Sequence, residues 1–346
     1  MEKIAKGVLN FQEVYMEFKP AAGEISNLWQ FIIANQAHLC LLEYWDHHAE
    51  DEDLKKILIQ SKEIAGQIVE QGMALYKKAG FPAPIGFSLE HDVMPAAPRL
   101  MSDKLILTVL HILAEYGVYA YGLTVGKTEN HEVLSFFETC LQNATKLYRN
   151  ITEIVLKKGY GHQTVHLPTM KQPEMVEHHS FLSGWLGKQR QLSGIEIDNL
   201  IFSLRGVILA KTMFIMFLQI AKDSEVQKFC QKAKNITGKR VERFQSLNSA
   251  ENLPFQATYE SEITDSSTSP FSDRLIMFEV LSLGQIAIAR YGNALSFVVR
   301  RDLSTMFGLL IVETGAFLDE GMKLMIDKRW LEQPPMASSQ LKNNDK

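Results

Sequence analysis

Glu24, Ile25, Asn27 and Leu28 return as Glu196, Ile197, Asn199 and Leu200, an offset of 172 residues. The same offset carries Asp51 onto Asp223, Pro82 onto Pro254, and Ile64, Gly66, Val69 and Glu70 onto Ile236, Gly238, Val241 and Glu242. From Pro98 onward the offset is 170, which maps Ser102, Asp103, Leu105 and Ile106 onto Ser272, Asp273, Leu275 and Ile276, and Tyr121-Gly122 onto Tyr291-Gly292. Identities held in register over about a hundred residues, with the gap in a loop, mark a duplication. Whatever one copy folds into, the other must fold into as well. The 346 residues leave room for two domains of ordinary size.

Each copy reads as four helices. In the first, apolar residues recur at three- and four-residue spacing over 23–49, 52–79, 102–126 and 130–158. Ser102-Asp103 precedes LILTVLHIL and Ser272-Asp273 precedes LIMFEVLSL, and such side chains accept hydrogen bonds from the free N–H groups of a first helical turn. Helices one and two are joined by HAEDED, and three and four by GKTEN, links short enough to force antiparallel neighbours. Between helices two and three runs AGFPAPIGFSLEHDVMPAAPRLM, which has no helical period. At about 3.3 Å per residue such a loop exceeds ~60 Å when extended, against ~42 Å for the helix over 52–79, so it can cross a bundle end to end. The second copy carries its own long segment, NLPFQATYESEITDSSTSPF.

Short, long, short is the connectivity of a ferritin-like bundle with one crossover. The fold expected is therefore all-α, with two tandem ferritin-like four-helix bundles, each with one long crossover loop. The boundaries expected are an N-terminal arm over 1–20, a first bundle over 21–168, a linker over 169–190, a second bundle over 191–335 and a disordered tail over 336–346.

A net charge of −4, with 46% hydrophobic and 22% charged residues, gives neither the basic excess that nucleic acid demands nor an acidic tail. Cys40, Cys140 and Cys230 are odd in number and widely spaced, which suits a reducing compartment better than a disulfide framework. The start, MEKIAKGVLNF, lacks the long apolar run of a signal peptide, so a cytoplasmic protein is expected. Leu200 to Lys222 is apolar over about the length of a bilayer span, but Arg205 and Lys211 fall inside it at a cost of about 2.5–3.5 kcal/mol each at the bilayer centre. A helix buried on most sides within its bundle is the expected alternative.

The segments PAAGEISNLW, APRLMSDKL, FLSGWLGKQRQLSGIEI, DSSTSPFSDRLIMF, YGNALSFVVRRDL and DKRWLEQPP resemble an uncharacterised family from spore-forming bacilli, tandem ferritin-like bundles related to spore coat protein F. The resemblance covers most of the chain. It implies a ferritin-like fold and a link to the spore coat, and it supplies no catalytic residues.

A ferritin-type di-iron centre needs a Glu on each of two helices and a Glu-x-x-His on each of the other two. All ten histidines precede residue 180, so the second copy has none. In the first copy Glu63 and Glu70 are followed at the third place by Gly66 and Met73, and Glu132 and Glu138 by Ser135 and Leu141. The ligand set that remains for a degenerate metal site is His38, Glu70, His111 and Glu115, of which His111 and Glu115 share a helix face at i and i+4. Against it, Lys104, Thr108, His111 and Glu115 form one polar stripe of the kind that faces solvent, and His38 alone among apolar residues reads as a hydrogen-bonded core histidine. His162, His166, His178 and His179 fall on the connector between the copies, where Phe181 and Trp185 are expected to tuck it against the bundles.

In the second copy Arg205, Lys211, Glu279, Arg290 and Glu313 interrupt strongly apolar runs. Charges near a core must pair. The five read as a structural ion-pair network, or else as a polar pocket for an anionic or amine ligand. No Gly-x-Ser-x-Gly, Walker loop or Gly-x-Gly-x-x-Gly occurs, and Gly-Tyr-Gly at 159–161 reads as a helix C-cap.

The function expected is a non-enzymatic structural or interaction protein of ferritin-like fold, spore-associated, with protein partners or self-association and neither nucleic acid nor a membrane span. The alternative is a metal- or small-molecule-binding protein, a degenerate di-metal carboxylate oxidoreductase. No cofactor is expected under the first reading, and iron or another transition metal under the second.

Overall fold

The computed structural model describes residues 18–185 and 190–337, so the sequence readings for most of the 1–20 arm and the 336–346 tail lie outside the described residues. Eight long helices are present among them: α1 (Ala22–His48), α2 (Glu52–Lys78), α3 (Asp103–Val125), α4 (His131–Lys157), α5 (Gly194–Ile220), α6 (Ser224–Ala250), α7 (Asp273–Phe297) and α8 (Arg301–Asp327). No β-strand occurs among the described residues. The chain is all-α, two tandem four-helix bundles of ferritin-like connectivity. Each repeat joins its second helix to its third by one long crossover. The first crossover contains one helical turn, Leu89–Asp92, that lacks a periodic signal in the sequence. Ser88 and Asp92 make it, with Ser88 Oγ accepting from His91 N and Asp92 accepting from Ser88 N.

The duplicated residues stand at the helix ends. Asp51 accepts from the N–H groups of Asp53 and Leu54 at the start of α2, and Asp223 accepts from Glu225 and Val226 at the start of α6. Ser102 and Ser272 do the same for Leu105 and Leu275. At the C-termini of α2 and α4 the chain turns through the left-handed region at Gly80 (φ 82°) and Gly159 (φ 69°), the latter in the Gly-Tyr-Gly expected to cap a helix. The equivalent positions of the second repeat are Asn252 (φ 56°) and Arg329 (φ 60°), so here the copies keep the backbone and differ in the residue. Asn adopts that conformation readily and arginine at a steric cost. Arg329→Gly is therefore expected to stabilise the chain by about 1 kcal/mol, read as a higher urea midpoint with unchanged slope.

Each bundle has its own core. In the first, Leu28, Ile32, Ile68, Tyr76, Val133, Phe137 and Cys140 pack together. In the second, Leu200, Leu204, Phe244, Tyr291, Leu303 and Phe307 do so. All three cysteines are buried. By length and composition α3, α5 and α7 are apolar enough to cross a membrane, but 67% of the most apolar window of α5 is buried inside the protein. That burial accounts for its composition. Lys211 on α5 is only partly buried and pairs with Glu260 at 2.9 Å.

Candidate functional site

A buried glutamate organises each bundle. Glu24 accepts from Ala21 N at the head of α1 and from Glu129 N (2.8 Å) and Asn130 N (2.7 Å) in the link before α4. Glu196 repeats this one copy later. It accepts from Ser193 N at 2.9 Å and from Arg300 N at 3.0 Å, and in addition takes both terminal nitrogens of Arg190 at 2.7 and 2.8 Å. Burial opposes ionisation of Glu196, but the Arg190 guanidinium and the N–H groups of Ser193 and Arg300 outweigh it and hold the carboxyl at about 2. These two residues fix architecture.

Each bundle also encloses a chamber between its four helices. In the first bundle it is lined by Asn35 and His38 on α1, Ser61 and Ile68 on α2, Tyr121 on α3 and Ala144 on α4, and it encloses about 100 Å³, partly open to solvent. In the second bundle Ser203 and Val207 on α5, Arg240 on α6, Arg290 and Tyr291 on α7 and Thr314 on α8 line a cavity of about 40 Å³, again partly open. The repeat offsets superpose the two. Val207 stands where Asn35 stands, Ala210 where His38 stands, Arg240 where Ile68 stands, Tyr291 where Tyr121 stands and Thr314 where Ala144 stands.

The two chambers have diverged in chemistry. In the first, Asn35 donates to the Tyr121 hydroxyl at 3.2 Å. Neither ring nitrogen of His38 has a hydrogen-bond partner among the described residues, and burial alone pulls its imidazole down to about 4, so it is neutral near pH 7. The sequence reading of His38 as a hydrogen-bonded core histidine is thus corrected: the ring lines a space. In the second chamber Arg240 is 7% exposed and its Nε and Nη2 lack a well-formed hydrogen bond, the Ser203 hydroxyl is buried without a partner, and the buried Tyr291 hydroxyl lies beside the Arg240 guanidinium. Burial raises the Tyr291 phenol, which keeps its proton and remains a donor. Arg290 donates to Phe202 O at 3.3 Å and lies 4.4 Å over the Phe202 ring. Its guanidinium occupies room left by Gly206, whose added Cβ would fall 2.5 Å from Nη1.

The residues singled out from the sequence are distributed otherwise. Of His38, Glu70, His111 and Glu115, His38 lines the first chamber, Glu70 is exposed and Glu115 is half-buried. His111 corrects the reading of a solvated stripe: it is buried, hydrogen-bonded to Thr152 Oγ1 at 3.0 Å and stacked on Tyr148. Among the described residues no group of three or more His, Cys, Asp or Glu is placed to hold a metal ion. No carboxylate lines either chamber, and two guanidinium groups in the second repel a divalent cation. The residues present do not fit a ferritin-type di-metal centre.

Of Arg205, Lys211, Glu279, Arg290 and Glu313, Arg290 lines the second chamber. Lys211 pairs outside it with Glu260, and Arg205 is half-buried on α5. Glu313 is largely exposed and reaches Arg240 Nη2 at 3.6 Å, while Glu279 is buried with an unpartnered Oε1. Arg240, Tyr291 and Ser203 were missed from sequence. Arg240 is hidden in the charged run GKRVERF, and the signal that finds it is the repeat register, which sets it on apolar Ile68. On the connector, His162, His166, His178 and His179 are exposed. Phe181 is held there by Arg190, 4.1 Å from its ring, but Trp185 is 63% exposed, against the expectation that it packs.

A family model described as "Protein of unknown function (DUF3231)" matches the chain twice, over residues 19–174 and 180–342. No curated protein matches. Among solved structures, a candidate spore coat protein from Bacillus halodurans C-125 is 17% identical, with a TM-score of 0.36 over 44% of this chain and 97% of that one. A two-domain protein with DJ-1/ThiJ/PfpI-like and ferritin-like domains from Anabaena variabilis ATCC 29413 is 14% identical, with a TM-score of 0.33 over 56% of this chain and 53% of that one.

Proposed function

The chain belongs to the DUF3231 family, whose unit it carries in two copies, and on that premise we propose that it is a small-molecule-binding protein with one ligand chamber in the core of each bundle. The observation that carries this reading is the pair of chambers at equivalent positions of the two repeats. Protein interiors are close-packed, and unfilled core volume costs about 24 cal/mol per Å³. Space of about 100 Å³ and 40 Å³, kept at the same place in both copies while the side chains around it changed, supports a site that widens around a narrow ligand. Of the two functions weighed from sequence, small-molecule binding accounts for the chambers and a purely structural role does not. Spore association is proposed on the sequence resemblance alone. Detection of the chain in growing cells but not in purified spores would remove that part.

The test uses the full chain and two probes of equal length, 1-octanol and octanoate. At least one is expected to bind saturably and to raise the melting temperature by several degrees. Blocking one chamber with Ala144→Phe or Ala287→Phe is expected to lower the stoichiometry or remove the tighter phase. No saturable binding of either probe at millimolar concentration would sink the reading.

A further inference from the structure

We propose that the second bundle's chamber is an anion site, selecting an amphipathic ligand with an apolar body that ends in a carboxylate. This inference rests on the ligand-chamber reading above and adds the charge of the ligand. Guanidinium groups donate hydrogen bonds and accept none. Two of them reach this chamber, and Arg240 leaves Nε and Nη2 without a well-formed hydrogen bond while nine-tenths buried. The Ser203 hydroxyl, 1% exposed, is a donor without an acceptor, and the Tyr291 hydroxyl, also 1% exposed, lies beside Arg240, which can only donate to it, so its own proton is still unaccepted. A buried donor left unmade costs free energy, and more when it is charged. The missing component is an acceptor.

The protein supplies little of it. Glu313 is the carboxylate paired with Arg240, at 3.6 Å, beyond hydrogen-bond length, and its side chain is 57% exposed. A planar carboxylate matches the guanidinium fork and accepts from two N–H groups at once. Val207, Phe214 and Phe317 supply the apolar wall for the rest of the ligand. The first bundle serves as the internal control, since Ile68 and Ala120 stand there in place of Arg240 and Arg290. Its chamber has the same location and no cation.

Octanoate, 1-octanol and inorganic phosphate are titrated into the wild-type chain by calorimetry. Octanoate is expected to bind at least tenfold more tightly than 1-octanol, and phosphate, which has no apolar body, at least tenfold more weakly than octanoate. Arg240→Ile, which installs the first repeat's own residue, is expected to weaken octanoate at least tenfold and leave 1-octanol unchanged. Because loss of Arg240 also frees Glu313, Tyr291→Phe gives a second readout. It removes the hydroxyl beside Arg240 and leaves the guanidinium and Glu313 in place, so octanoate is expected to weaken about threefold while 1-octanol is unchanged. Equal affinity for octanol and octanoate, or octanoate binding untouched by both variants, overturns the anion site and leaves the chamber reading standing. Failure of all probes overturns the chamber reading itself. Phosphate binding as tight as octanoate overturns the amphipathic ligand.

Discussion

Glu196→Gln is expected to lower the unfolding free energy by about 3–5 kcal/mol at pH 7, the cost of breaking a buried charge pair from one side. The carboxylate is fully buried, grips Arg190 with both oxygens, and ties the head of α5 to the link before α8 through Arg300 N. A glutamine offers one carbonyl oxygen and two donors that face other donors. The matching change Glu24→Gln is expected to cost less, about 1–3 kcal/mol, because Glu24 accepts backbone N–H groups without a guanidinium. Acid is expected to remove the difference. The folded carboxyl of Glu196 is depressed to about 2, so its contribution is complete above the unfolded value near 4.5 and fades as pH falls toward 2. Urea unfolding of both proteins at pH 7 and pH 3 should show the wild-type advantage shrinking with acid. A Glu196→Gln variant within about 1 kcal/mol of wild type at pH 7 would refute this account.

Glu24 and Glu196 also show where sequence reasoning stops. Their identity at an offset of 172 helped to reveal the duplication, and the Ser193-x-x-Glu196 spacing is that of a capping box, yet the tie each makes across its bundle left no mark in the sequence. Their long-range partners are backbone N–H groups about a hundred residues away, and a backbone donor has no side-chain signature. The helices and their connectivity were legible for the opposite reason. The apolar period, the caps at Asp51 and Ser102 and the short links act within a few residues, so α1 to α4 fall within about a residue of the expected bounds. His111 was misread because a one-helix pattern sees its neighbours Lys104, Thr108 and Glu115, while Tyr148 and Thr152 approach from α4. The chamber was half legible. Arg290 stood out against an apolar run, whereas Arg240 was camouflaged by the charged residues beside it and became conspicuous only against Ile68.

Glu279→Gln is expected to change the pH dependence of stability in the direction opposite to Glu196. Glu279 is buried on α7, its Oε1 has no partner, and burial alone raises its carboxyl to about 8. The folded state therefore holds this proton through neutral pH while the unfolded chain releases it near 4.5. Between those values the folded state binds more protons, so stability falls as pH rises, by about 1.4 kcal/mol per pH unit, and levels off above pH 8. The whole span amounts to about 5 kcal/mol. Glutamine has the same shape and no proton to lose, so the variant should match or slightly trail wild type at pH 5, where a neutral acid is already present. At pH 8 it should be more stable, by up to about 4 kcal/mol after the cost of its extra amide donors. Thermal unfolding at the two pH values decides the point, since the crossing of the two curves is specific to a titrating buried acid. Parallel curves for wild type and variant would mean that Glu279 finds a partner or a solvent path that holds its carboxyl near the ordinary range.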